Sequence, residues 1–279
     1  MRALPFLGHP EKHGLGFNAP CLARSAFQLN HSDIETLMID IVATILLHFG
    51  IVTGFALVVR FSGQPVRVRP LIGGLACTAV YWIIIVLSSE LQGMIVPLAN
   101  LRWNWLGKIC AVAATLFLVG AVRSLTRQEA GLVLKIRAGS IGPALLVMAA
   151  LCSFAWLLEA MAHDGTDRSR ERLIFQATMP GLDEELFVRG LLLALFVRAF
   201  GQGRIVSGAP FGAAEVALTF LFAAGHGLRV ADGAIAFDAA AFVTTAVLSA
   251  GLTWLRQRTG SVVPSILAHN AINVGNSFF

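Results

Sequence analysis

The sequence predicts an all-α fold, a polytopic bundle of transmembrane helices with its functional site in the C-terminal half. Of the 279 residues, 56% are hydrophobic and only 13% are charged, whereas a soluble globular domain carries about 25% charged residues. The apolar residues form runs long enough to cross a bilayer, and most polar residues lie between these runs. This composition excludes disordered, collagen-like and disulfide-scaffold proteins.

The first four predicted membrane segments carry few polar residues. They run approximately over residues 37–61, 70–98, 106–122 and 142–162, with a candidate break in the second near Glu90–Gly93. Trp103 and Trp105 follow the second segment, where aromatic side chains are expected at the membrane interface. Residues 1–34 are polar and contain no apolar core of signal-peptide length. We therefore predict a polar tail over 1–34 and a single transmembrane domain over 35–279.

The remaining four segments differ because three of them carry polar side chains near their middle. The four segments cover residues 173–200, 211–228, 238–255 and 262–279, and all but the third contain ionisable or amide groups there. The total is about eight membrane segments, some of them short or re-entrant. A charged side chain at the bilayer centre costs roughly 2.5–3.5 kcal/mol on insertion scales, so these polar residues require an explanation.

Charge and cysteine content exclude two further classes of function. The net charge is +5, but the basic residues separate apolar runs as loop residues do, so we expect a lipid bilayer and no nucleic acid as partner. The four cysteines form no C-x-x-C pair, and three of them lie within apolar runs. They are typical of small packing residues and indicate neither a disulfide framework nor a zinc cluster.

Three consecutive acids, Asp183-Glu184-Glu185, interrupt an apolar stretch directly after Pro180-Gly181. We expect them in the first turn of a helix that continues to Phe200, where the helix dipole stabilises acids by about 0.3–1 kcal/mol each. Glu185 and Arg189 are four residues apart and can pair, whereas Glu184 points about 100° away. A carboxylate left over in a low-dielectric site binds protons more readily, which suits a general base. The alternative is that the three acids only face a water-filled crevice and have no catalytic role.

Two other segments carry histidines at helical spacing from a second residue. Phe222 precedes His226 by four residues, and His269 precedes Asn273 by four. A lone histidine in a membrane is usually an interhelical hydrogen bonder, but three polar constellations together favour one centre built from three helices. A glutamate and a histidine can polarise water, while a second histidine with an amide can stabilise the oxyanion of peptide hydrolysis.

Other hydrolytic mechanisms fit these residues less well. Two histidines and a carboxylate can bind zinc, but the sequence has no H-E-x-x-H motif and the asparagine would be surplus. A serine–lysine dyad requires a lysine within the membrane. The three lysines lie in the tail (Lys12), near the end of a span (Lys108) and in a loop (Lys135).

The three motifs resemble those of the CAAX protease and bacteriocin-processing family of intramembrane glutamate proteases. The matching motifs are Glu184-Glu185-x-x-x-Arg189, Phe222-x-x-x-His226 and His269-x-x-x-Asn273, in the same order, and the resemblance covers roughly residues 175–276. It implies that Glu184 activates water with the help of His226, and that His269 and Asn273 form the oxyanion site. It also implies that Glu185 pairs with Arg189 and that Phe222 packs beside the centre.

The resemblance implies an endopeptidase that needs no catalytic metal or other cofactor. Its substrate would be a peptide or membrane protein, prenylated or not, and we expect a multi-pass protein of the bacterial inner membrane. The family also includes members proposed as immunity factors or scaffolds. The alternatives are therefore a non-catalytic scaffold or bacteriocin-immunity protein and a zinc-dependent membrane metalloprotease. A proton or ion path through Glu184, Glu215, His226 and His269 is disfavoured, because the chain lacks paired broken helices.

Overall fold

The structure of the protein, a computed structural model, describes residues 31–122, 125–162 and 168–279. Most of the predicted tail over 1–34 therefore lies outside the described residues, as do parts of two predicted loops. The first half of the chain forms helices close to the predicted spans. They are α1 (His31–Phe61), α2 (Val68–Met94), the short α3 (Val96–Ala99), α4 (Trp105–Ala121) and α5 (Ile141–Ala162).

The second half combines helices with two short hairpins. Its helices are α6 (Arg170–Glu184), α7 (Leu193–Phe200), α8 (Ala213–Gly227), α9 (Ala239–Thr259) and α10 (Val263–Gly275), and a π-helical segment (Glu185–Leu192) joins α6 to α7. The antiparallel hairpins pair β1 (Arg204–Val206) with β2 (Ala209–Phe211), and β3 (Leu228–Ala231) with β4 (Ala234–Phe237). The all-α prediction did not include these hairpins. Positive φ angles at Ser207-Gly208 and Asp232-Gly233 are typical of type I′ turns.

In the part of the chain that the structure describes, four helices are long and apolar enough to cross a membrane. They are the Met38–Phe61 part of α1, together with α2, α5 and α9. Helices α4 and α8 are apolar but shorter. In the most apolar windows of α1, α2 and α5, only 17–22% of the residues are buried. These helices therefore direct apolar side chains outward, as lipid-facing helices do. The polytopic helical bundle is confirmed, while the total of about eight segments stays a prediction.

Helix α6 begins ten residues before the predicted start. The side chain of Ser169 accepts a hydrogen bond from the Arg172 N–H and caps the helix, and Pro180 lies inside it. The expectation that Pro180-Gly181 opens the helix is therefore wrong, and the three acids lie at the junction of α6 with the π-helical segment. Since they are not in a first turn, the helix dipole does not account for them.

Helix α6 packs closely on α10 directly after Pro180. The Gly181 N–H donates a hydrogen bond to Oδ1 of Asn270 at 2.8 Å, so α10 supplies an acceptor beside the proline. A Cβ atom on Gly181 would lie 2.5 Å from that oxygen and 2.7 Å from the backbone oxygen of Ile266. Glycine at this position therefore permits the close approach of α6 to α10.

The described residues include two buried apolar clusters. The first contains residues of α1, α2, the π-helical segment, α7 and α8, among them Leu191, Phe196 and Leu218. The second joins α5, α9 and α10 and includes Leu248 and Ile272. The motif residues of the C-terminal half lie on α6, the π-helical segment, α8 and α10.

Candidate active site

Glu185 joins two of the predicted motifs through one carboxylate oxygen. Its Oε1 accepts a hydrogen bond from Nη1 of Arg189 at 2.9 Å and another from Nδ1 of His269 at 2.8 Å. All three side chains are at most 2% exposed. The predicted Glu185–Arg189 pair is present, and the contact with His269 adds a link from the π-helical segment to α10.

Arg189 extends this link to α8 and α9. Its Nη2 donates to the hydroxyl of Ser249 at 2.7 Å, and its guanidinium carbon lies 4.4 Å from the centre of the Phe222 ring. The second contact has the geometry of a cation–π interaction. Phe222 thus lies against the buried ion pair.

The tautomer of His226 follows from its contact with the backbone. Nδ1 of His226 lies 2.8 Å from the carbonyl oxygen of Phe222. Because a carbonyl oxygen only accepts, Nδ1 carries the proton, and Nε2 keeps its lone pair while the ring is neutral. The ring is also 4.6 Å from the Phe222 ring, centre to centre. A histidine held in this way presents a proton acceptor at Nε2.

Glu184 lies among residues from three other helices. Its Oε1 accepts a hydrogen bond from Nζ of Lys108 at 2.8 Å, and its Oε2 lies 3.9 Å from Nε2 of His269. The carboxylate also interacts electrostatically with His226. Within the described part of the chain, Oε2 has no hydrogen-bond partner. The side chain is 11% exposed, although Oε2 itself is buried.

Asn273 lies one turn after His269 on α10 and is 2% exposed. Neither its amide nitrogen nor its amide oxygen has a hydrogen-bond partner among the residues that the structure describes. A buried amide without a partner is costly, so in a native protein it calls for an explanation such as a bound water, an ion or a catalytic role. The geometry therefore places an unused hydrogen-bond donor next to His269.

Helical spacing indicated neither Lys108, which was considered only as a lysine near the end of a span, nor Tyr81 as a site residue. Nζ of Lys108 lies 2.8 Å from Oδ2 of Asp183 as well as contacting Glu184, and the Tyr81 hydroxyl donates to the same Oδ2 at 2.7 Å. Glu184 is therefore not the unpaired carboxylate that helical spacing suggested. The available signal was the cost of placing a lysine within an apolar segment, which normally requires a charged partner.

A narrow apolar cleft adjoins His269. It is lined by Phe222, Leu248, Leu252, His269 and Ile272, and it is too narrow to hold a water molecule. Among residues 31–122, 125–162 and 168–279, no group of three or more His, Cys, Asp or Glu side chains is arranged to hold a metal ion.

Residues 171–275 match the family model described as type II CAAX prenyl endopeptidase Rce1-like. We refer to these residues as the Rce1-like domain. All three motifs lie within it, which confirms the family resemblance inferred from them. With the four membrane-capable helices, the Rce1-like domain supports an integral membrane peptidase of the CAAX type. No curated protein and no solved structure gives a significant match to the chain. Lys108 and Tyr81 lie outside the Rce1-like domain.

Proposed function

We propose that this protein is an intramembrane endopeptidase in which Glu184 and His226 activate water to hydrolyse a peptide bond. The observation that carries the proposal is the position of the Glu184 carboxylate, whose Oε2 lies 3.9 Å from Nε2 of His269 on α10 and within electrostatic range of His226 on α8. Its Oε2 makes no hydrogen bond to the described residues, so it is available to accept one from a water molecule.

In the proposed reaction, Oε2 of Glu184 and Nε2 of His226 orient a water molecule and Glu184 accepts one of its protons. The water oxygen then bonds to the carbonyl carbon of the substrate and forms a tetrahedral intermediate. The proton moves to the peptide nitrogen, the C–N bond breaks, and a carboxyl and an amine terminus are released. The tautomer of His226 supports this role, because Nδ1–H is occupied by Phe222 and Nε2 presents its lone pair.

His269 and Asn273 are proposed to bind the oxyanion of that intermediate. The amide of Asn273 is buried and makes no hydrogen bond to the described residues, so it can donate to an oxyanion. Nδ1 of His269 is directed at Glu185, and its Nε2 can therefore donate only when the ring is doubly protonated. Each such donor typically contributes about 10²–10³ in rate.

The Rce1-like description names CAAX prenyl endopeptidases, so we propose a membrane-associated peptide as substrate and a prenylated CAAX peptide as the first probe. The test uses the full chain reconstituted in liposomes, with a fluorogenic prenylated peptide and its unprenylated counterpart. The Glu184→Gln and His226→Ala proteins should insert and fold but lose cleavage, whereas Glu35→Gln, at an exposed site on α1, serves as the matched control.

Exhaustive chelation should leave wild-type turnover unchanged. Activity that is lost on chelation and restored by zinc would replace this mechanism with a metalloprotease. Peptide cleavage that persists in Glu184→Gln would exclude the glutamate mechanism. A biological effect that survives Glu184→Gln without cleavage would favour a scaffold.

A further inference from the structure

The first turn of α4 is fixed in place around Lys108. The Asn104 side chain accepts a hydrogen bond from the Gly107 N–H at 2.9 Å and caps the helix. Gln92 of α2 accepts another from the Leu106 N–H, also at 2.9 Å. Two consecutive N–H groups at the start of α4 are thereby satisfied, so the backbone that carries Lys108 is held on α2.

Helix α6, which carries two of the three acids, also holds this turn. Oε1 of Glu171 accepts hydrogen bonds from the N–H groups of Arg102 at 2.8 Å and Trp103 at 3.1 Å. The Trp103 and Trp105 rings pack on Phe175, with centre-to-centre distances of 5.2 and 5.1 Å. The position of Lys108 relative to the end of α6 is therefore set by packing and does not depend on its own ion pairs.

Charged and titratable groups approach Glu184 from several elements, and one of them is Tyr81 on α2. Lys108 contacts it from α4, Asp183 precedes it on α6, and His226 and His269 approach from α8 and α10. From the π-helical segment, Arg189 is bound by Glu185 and Ser249. Lys108 is the cation in direct contact with Glu184, and its side chain is only 15% exposed.

We infer that Lys108 is a positioning residue of the proposed peptidase. Its ammonium group holds Oε1 of Glu184, keeps that carboxylate ionised, and leaves Oε2 as the oxygen that receives the water proton. The inference rests on the proposed function and extends the site beyond the Rce1-like domain. Asp183 fixes the lysine from the other side, since its Oδ2 accepts from both Lys108 and Tyr81.

Two explanations of the contacts of Lys108 predict different results when Lys108 and Asp183 are replaced together. If Lys108 only neutralises the buried Asp183, removing both charges restores the site. If Lys108 positions Glu184, the double variant stays impaired. The proteins to compare are Lys108→Met, Lys108→Arg, Lys108→Met with Asp183→Asn, and the control Lys135→Met, which makes the same substitution in an exposed loop.

We expect Lys108→Met to lower kcat by about 100-fold, the size of effect that a misplaced reacting group produces, with KM changed less than about threefold. Lys108→Arg should recover part of the loss because it keeps the charge. The double variant should remain as slow as Lys108→Met, and Lys135→Met should match the wild type. Wild-type kcat in either Lys108→Met or the double variant overturns the inference.

A second readout needs no substrate. Dicyclohexylcarbodiimide adds to protonated carboxyl groups and not to ionised ones, so the rate of Glu184 labelling at pH 7, followed by mass spectrometry, reports its ionisation. Labelling should be at least about tenfold faster in Lys108→Met and in the double variant than in the wild type. Equal rates overturn the inference even if no peptide is cleaved.

The two experiments separate failure of the inference from failure of the proposed function. If the wild type cleaves peptide, Glu184→Gln does not, and Lys108→Met cleaves as fast as the wild type, only the role of Lys108 is wrong. If no peptide is cleaved but labelling of Glu184 accelerates in Lys108→Met, the lysine holds the carboxylate ionised and the proposed peptidase activity is wrong.

Discussion

At Glu185 a single carboxylate oxygen serves two buried partners on different elements. Arg189 and His269 both donate to Oε1. The orientation of His269, a proposed oxyanion donor, therefore depends on the Glu185–Arg189 ion pair. That ion pair makes no contact with substrate in the proposed mechanism. Stability and activity are therefore coupled at this residue. A change at Glu185 alters the arginine that lies under Phe222 and the histidine that faces Glu184.

We predict that Glu185→Gln destabilises the protein and lowers kcat together. Neutralising one partner of a buried ion pair leaves Arg189 uncompensated, at a cost of about 3–5 kcal/mol. The matched control is Glu129→Gln, which removes an exposed pair with Arg198 and should cost about 1 kcal/mol or less. Thermal unfolding in detergent compares the two, and equal shifts in Tm would contradict the buried-pair interpretation.

Asn273→Ala, in contrast, should lower kcat without lowering the stability of the protein. Because its amide makes no hydrogen bond to the described residues, Asn273→Ala breaks none of them and should leave Tm within a few degrees of the wild type. If the amide binds the oxyanion, kcat should fall by about 10²–10³. Asn276→Ala, at a buried asparagine near the end of the same helix, is the control and should retain activity. A loss of Tm without loss of kcat would assign Asn273 a structural role.

Local spacing predicted the residues that come together within one motif, but not those joined by the fold. Glu185 and Arg189 are one turn apart, so their pairing could be read from the sequence. Lys108 and Glu184 are 76 positions apart, and nothing in the pattern around either residue indicates the other. The same holds for His269, whose bond to Glu185 spans 84 positions.

At the scale of single elements, helix α6 shows why a proline is an unreliable boundary. Pro180 removes one backbone hydrogen bond, yet α6 continues through it, and the adjacent N–H of Gly181 donates to Asn270 of α10. The π-helical segment follows four residues after Gly181 and carries Glu185 and Arg189. Such segments are frequent at functional sites, yet their occurrence depends on tertiary packing and the sequence alone did not predict it.

Gly181→Ala should disrupt the contact between α6 and α10. The new methyl group would lie 2.7 Å from the backbone oxygen of Ile266, and since helix backbone cannot move aside locally, the two helices must separate. We expect a lower Tm and a large loss of kcat, because His269 on α10 moves away from Glu185. Gly73→Ala on α2 meets no atom within 4 Å and should be neutral or slightly stabilising. Equal behaviour of the two variants would contradict this account.

The loop over residues 125–140 should loosen in acid. The Thr126 N–H and hydroxyl donate to Glu129, and Arg198 binds the same carboxylate. The backbone hydrogen bond from Thr126, with help from Arg198, holds the pKa of Glu129 below its usual value. The carboxylate therefore stabilises the loop at and above the ordinary glutamate range and loses this effect as pH falls through the lowered pKa.

Hydrogen exchange measures this change. The protection factor of the Thr126 amide should decrease between pH 6 and pH 3 in the wild type, and it should already be low at pH 6 in Glu129→Gln. A protection factor that does not change over this range would show that Glu129 does not hold the loop.

At the scale of the whole molecule, α1, α2 and α5 direct their apolar surfaces outward. The prediction of a membrane bundle was confirmed. It rested on composition and on the length of the apolar runs, which do not depend on how the helices are arranged. The hairpin turns at Ser207-Gly208 and Asp232-Gly233 carry a local sequence signal that the all-α prediction did not use. The contribution of α2 and α4 to the site, in contrast, depends on how the helices pack. Composition carries no information about that packing.

Leu46→Arg should reduce membrane insertion if α1 spans the bilayer. Leu46 is 62% exposed within α1, and an arginine near the middle of a span costs roughly 2.5–3.5 kcal/mol. Leu134→Arg places the same residue at a leucine that is 86% exposed in a loop and should have no effect. Carbonate extraction and the yield of folded protein compare the two variants. Equal yields would mean that this surface of α1 does not face lipid.

The cleft between Phe222, Leu252 and Ile272 does not admit even one water molecule. An extended polypeptide can therefore reach His269 through this cleft only after α8, α9 and α10 have moved apart. For a peptidase, the rate at which these helices separate would set an upper limit on turnover by this route. A small rigid molecule that holds them together would then inhibit the enzyme without touching Glu184.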